Sequence, residues 1–155
     1  MPTLHTSRKQ LSQLLTAASE TFRNDDASFA TVAVTGSGSA EPIGTPIVWN
    51  DTDKKWVKYA AAADIDATKT STLPNGAVVA LTVGTQEGVG RNFEDLALTT
   101  TGVNARVVFR GAEVQNGGIE WGAINSTNQA AFVLQLQKQG VNVVQNAANA
   151  TQLFV

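Results

Sequence analysis

The chain has 155 residues, 43% of them hydrophobic and only 15% charged, with a net charge of −2 and no cysteine. That length buries a sizeable core in a single domain without disulfides. The near-neutral charge excludes the basic stripe that a phosphate backbone demands, and the missing thiols exclude cysteine nucleophiles and thiolate metal sites.

In chain order, Ser7 and Gln10 have the form of a capping box, and Leu11, Leu14, Leu15, Ala18 and Phe22 recur at helical spacing. The pattern predicts an amphipathic helix over about 8–23, ended by Asn24-Asp25-Asp26. Its apolar stripe must cover either the chain's own domain or a partner, so residues 1–28 read as an arm or helix set apart from a domain over 29–155. The opening MPTLHTSRKQL lacks the apolar core of a signal peptide. No apolar run approaches the roughly 20 residues that span a bilayer. The expectation is a soluble protein used without export.

From Phe29 onward the pattern is β-like. A strand is predicted over 29–35, followed by a flexible Gly36-Ser37-Gly38-Ser39 loop. Ile47-Val48-Trp49 and Trp56-Val57-Lys58-Tyr59 flank a turn rich in Asn and Asp, which makes a hairpin with Trp49 facing Trp56. The segment 60–63 is ambiguous between strand and helix, and 68–72 is a polar loop. Pro74-Asn75-Gly76 signals a turn before AVVALTV (77–83), an apolar run of strand length read as buried on both faces. After a glycine-rich loop over 84–90, strands are predicted over 96–101 and 103–109. A second helix is predicted from about Thr127, with Ser126 as cap and Gln129 closing a capping box. Gly140 stops it in a left-handed C′ position, where Leu136 and Val141 can touch, and 141–144 forms the next strand. An Asn- and Ala-rich tail ends in Leu153-Phe154-Val155.

Few residues carry chemistry. His5 is the sole histidine and cannot assemble a triad or zinc site alone. Asp51/Asp53 and Asp64/Asp66 lack the glycine and distal glutamate of a calcium loop and read as turn residues. The loop over 84–90 has neither the lysine nor the spacing of a phosphate cradle. Arg91, Glu94 and Asp95 read as surface pairing. The N-x-[ST] triplets at Asn50, Asn125 and Asn149 are expected by chance in this composition. Trp49 and Trp56 read as core; Trp121 fits either core or an interface.

The order of segments is more informative than any single residue. IGTPIVWNDTDKKWVKYA, PNGAVVALTVG, RVVFRGAEV, GGIEW, a short helix and GVNVV follow one another over 43–144, with RGAEVQNGGIEW the most telling stretch. In this order the chain resembles the head decoration (capsid cement) proteins of lambdoid and related tailed bacteriophages. The resemblance implies a non-enzymatic structural protein of the virion without cofactor or metal, made in the host cytoplasm and placed on the outer capsid surface. It implies homotrimers at local three-fold axes that bind the major capsid protein of the expanded head and stabilise the shell, with neither nucleic acid nor membrane as partner. Family members order an N-terminal arm on the coat protein as an added strand. The helix-prone N-terminus departs from that pattern, so a helix laid in a groove, with Leu11, Leu14, Leu15 and Phe22 as docking anchors, is the alternative. The expected fold is mainly β (α+β): a β-sandwich or barrel-like domain with one short internal helix near the C-terminus, plus the N-terminal arm or helix. The competing functions are a tail-tube or head-fibre subunit, and a carbohydrate-binding β-domain stacking sugars on Trp49, Trp56 or Trp121.

Overall fold

A computed structural model describes residues 15–18, 29–35, 40–85, 95–97 and 103–144. Its strands are β1 (Leu15–Ala18), β2 (Phe29–Thr35), β3 (Ala40–Pro42), β4 (Pro46–Asn50), β5 (Lys55–Lys58), β6 (Val79–Thr85), β7 (Asp95–Ala97), β8 (Val103–Val108), β9 (Ala112–Gln115) and β10 (Val141–Val144). An α-helix, α1, spans Ser126–Lys138, and short 3-10 turns occupy Ala62–Asp64 and Asn116–Gly118.

Five strands close into a barrel in the order β2-β5-β4-β6-β8. Every pairing in it is antiparallel except β2 with β5. The β4–β5 hairpin forms as the sequence predicts: the Asn50 side-chain oxygen accepts from the backbone N–H groups of Thr52 and Asp53 and so builds the turn locally. Trp49 and Trp56 are register partners, their rings meeting edge to face at 5.6 Å. Before β6, Asn75 and Gly76 both take positive φ and the Ala77 N–H closes on the Pro74 carbonyl, which is the hairpin-type turn that Asn-Gly favours. The run over 77–83 is buried throughout. One face of β6 fills the barrel and the other lies under α1, which explains why the segment carries no alternation. Opposite β8, a bulge between Thr82 and Gly84 breaks the register and bends the strand around the cylinder.

A second sheet, β1-β9-β10, stands beside the barrel, and β3 pairs with β7. β10 runs parallel to β9, a direction that requires a crossover, and α1 supplies it. Phe132 and Leu136 of α1 are fully buried and join the core with Val141 and Val114. The helix stops where expected: Gly140 has φ 93 and its N–H bonds the Gln137 carbonyl. It starts one residue earlier than predicted. Asn125 is the N-cap, its side chain accepting from the Asn128 N–H at 2.9 Å, whereas Gln129 donates back to the Ile124 carbonyl instead of completing a box on Ser126. Asn125→Ala should therefore cost about 1 kcal/mol and Ser126→Ala only a few tenths, read from denaturant midpoints.

The N-terminal helix is corrected by the structure. Over its described part, 15–18, the chain is a strand antiparallel to β9, with Leu15 opposite Val114. Helical spacing of leucines is a weak local preference, and the open edge of β9 offers a ladder of backbone partners that outweighs it. Of the four docking candidates, Leu15 lies on this strand within the domain's own sheet; Leu11, Leu14 and Phe22 lie outside the described residues.

Candidate functional site

The segment from Glu120 to Ile124 leaves the 3-10 turn after β9 and passes over the end of the β4–β5 hairpin, enclosing a cavity of about 530 Å³. Thr45, Pro46, Lys58, Tyr59 and Ala60 line it on the hairpin side, Glu120, Trp121, Gly122, Ala123 and Ile124 on the other. Gly44 joins the two walls: its N–H donates to the Thr82 carbonyl at 2.7 Å and its own carbonyl accepts from the Glu120 N–H at 3.0 Å.

Trp121 sits at the rim, half-buried. Its indole N–H donates to the Asn116 side chain at 3.3 Å, and its ring stands edge-on to Phe132 with centroids 5.8 Å apart. Phe132 also packs against Tyr59 at 4.8 Å. The Tyr59 hydroxyl donates to the Asn128 carbonyl at 2.6 Å, and the Asn128 side chain accepts from the Ala62 N–H. One buried phenylalanine and one asparagine thus fix both aromatic walls.

Burial, with the charge of Asp64 as a smaller contribution, pushes the Tyr59 phenol above its ordinary value. The raised value means that the stability from this neutral, hydrogen-bonded phenol is complete below about pH 10 and is lost as pH rises through the folded-state value. Wild-type stability should fall on that alkaline limb. Tyr59→Phe should cost about 1 kcal/mol at neutral pH and flatten the limb. Urea midpoints between pH 7 and 11 check both; Tyr59 is the sole tyrosine, so phenolate absorbance reports it directly.

The carboxylate pairs serve turns, as read from the sequence. Asp51 accepts from Lys54 at 2.8 Å and from the Trp49 indole, and these bonds, the lysine's first, hold its carboxyl below the usual range. Asp64 accepts from the Ala60 and Ala61 N–H groups. Asp66 is likewise held down, by the hydroxyl and N–H of Thr68. Together with Trp49 and Lys69 they border a second cavity of about 370 Å³. Among the described residues no three potential metal ligands come together, and no helix there is long and apolar enough to cross a membrane. Trp49 and Trp56 are 6% and 1% exposed, so neither presents a ring to a sugar, and that part of the carbohydrate reading is corrected. His5, Arg91, Glu94 and Asn149 lie outside the described residues, as do the loops over 36–39 and 86–90.

Sequence reading alone singled out Trp121 but missed Gly44 and the Tyr59 hydroxyl. Gly44 stands among apolar residues with no turn partner beside it, and the acceptor of Tyr59 lies 69 positions away. Neither has a local signal. No protein-family model matches the chain, and no significant match is found among curated proteins or solved structures.

Proposed function

We propose that the chain is a phage capsid decoration protein that binds the expanded head as trimers at local three-fold axes and stabilises the shell without catalysis. The observation that carries this reading is the ordered set of segments over 43–144. They build one continuous body, in which the hairpin β4–β5, β6 and β8 form the barrel and RGAEVQNGGIEW forms β9 and the Trp121 rim beside it. The low charge of the chain suits close apposition to a protein shell, where interface centres are depleted of charged residues.

Shell stabilisation needs no strong single contact. A lattice offers many equivalent sites, and copies joined as trimers convert modest contacts into high avidity. A ligand bound to the expanded state alone stabilises that state by mass action. The supporting residues for coat contact are sought in the N-terminal segment, but its β1 portion pairs with β9 in the same chain. Deleting 1–14 spares that strand, and deleting 1–28 removes it.

The test is co-sedimentation with cognate expanded, DNA-free heads. The expected result is saturable binding at three copies per three-fold axis, weakened by the 1–14 deletion, with a raised temperature of head disruption. Absence of binding by the full chain would overturn the reading. Spontaneous rods or rings without heads would favour a tail-tube or fibre subunit instead.

A further inference from the structure

A closed ring of identical copies needs two different patches on each copy that fit one another. The described surface carries such a pair. The hole is the cavity beside Trp121, with Pro46, Tyr59, Trp121 and Ile124 as its apolar wall. The knob is Leu134, 53% exposed and the one large hydrophobic side chain left so open among the described residues.

A single exposed leucine is ordinary on its own; the helix that carries it is less so. From Ser126 to Gln137 α1 has no charged residue, and Thr127, Ala130 and Leu134 line one exposed face. A helix turned to water normally places charges there. The first charge, Lys138, lies one turn beyond Leu134 on that same face. The hole carries the opposite sign at Glu120, beside Trp121, and Lys58 on the hairpin wall. The hole also adjoins the start of α1, since Ile124 precedes the Asn125 cap, so Leu134 lies about 15 Å further along the same helix. Knob and hole are thus separate patches at the two ends of one rigid element.

We propose that Leu134 of one copy seats in the Trp121 cavity of the next, with Lys138 brought to Glu120, closing a three-membered ring. The apolar contact supplies affinity, and the charge pair fixes which way round the neighbour sits. This rests on the trimer reading above and names its contact.

The chain has no cysteine, so thiols can be placed cleanly. Leu134→Cys and Ala123→Cys are both at exposed positions, one on the knob and one on the hole. Seated as proposed, they come within disulfide range across each boundary. Mild oxidation of the double variant, bound to heads and in concentrated solution, should give covalent trimers, with each single variant remaining monomeric. Covalent dimers alone, or crosslinking by Leu134→Cys without its partner, would overturn the ring. So would no disulfide while the double variant occupies heads at three copies per axis. Covalent trimers in solution from a chain that does not bind heads would keep the ring and sink the capsid role. As a second measurement, Leu134→Glu should leave thermal unfolding unchanged and weaken trimer formation about tenfold or more. Lys138→Glu should weaken it less, with recovery on adding Glu120→Lys; unchanged assembly in Leu134→Glu would overturn the contact.

Discussion

Replacing Gln139 with alanine should lower the unfolding free energy by about 3–5 kcal/mol. β6 and β8 are register partners as far as Leu81 and Val108, and beyond that point they diverge. The Gln139 side chain enters the gap. Its Oε1 accepts from the N–H groups of Val78 and Val79 at 3.1 and 3.2 Å, and its Nε2 donates to the carbonyls of Val79 at 2.8 Å and Phe109 at 3.0 Å. Gln135 holds the amide in place by donating to the same Oε1. One side chain thus takes the place of a missing rung of backbone ladder, at residues that are themselves buried. Alanine would leave four backbone groups without these partners, and a buried polar group left unpaired costs about 1–3 kcal/mol. The total is held below the sum because relaxation and water recover part of it. Gln139→Glu separates the two halves: it keeps the acceptor and removes the donor, setting a carboxylate against two carbonyls, and should cost more than about 2 kcal/mol at neutral pH. Urea denaturation with an unchanged m-value is the measurement; a loss under about 1 kcal/mol for alanine would mean that water can bridge the gap.

Gly44→Ala should cost about 2–4 kcal/mol. The residue has φ 93, a conformation that side chains resist, and an added Cβ would lie 2.4 Å from the Gly118 carbonyl oxygen. That oxygen is backbone and cannot rotate away, so the segment over 118–120 must move, which breaks the bond from the Glu120 N–H to Gly44. The damage falls on the wall of the Trp121 cavity, and indole fluorescence should report it alongside the stability loss. Gly76→Ala is the control: it has a similar φ of 71, but nothing lies within 4 Å of the added carbon, so it should cost only about 1 kcal/mol. Equal losses for the two variants would refute the steric account.

Much of the barrel was legible because its signals are local. Trp49 and Trp56 flank a turn whose asparagine makes its own hydrogen bonds, Asn75-Gly76 announces a positive-φ turn, and a seven-residue apolar run has one sensible fate in a closed cylinder. Gly140 stops α1 for equally local reasons. What could not be read depends on partners distant in sequence. Leucine spacing before residue 23 suggested a helix, yet over 15–18 the edge of β9, nearly a hundred positions on, decides for a strand. Asn125 and Ser126 are both good caps, and the choice between them turns on Asn128, which also meets Ala62 and Tyr59. The cavity was half legible: Trp121 stood out by residue type, but its opposite wall comes from the hairpin, brought there through Gly44.

The closing pair of the barrel bears on how the molecule comes into being. β2, its first strand in the chain, is hydrogen-bonded to β8, its last, from Phe29 opposite Val108 to Val34 opposite Val103. During synthesis the cylinder cannot shut until the final strand has cleared the ribosome, and the contacts that shut it join positions about 80 residues apart. Folding dominated by such distant pairings runs in milliseconds to seconds. A cylinder sealed by its two ends also opens only as a whole, so its lifetime is governed by a barrier as much as by an equilibrium.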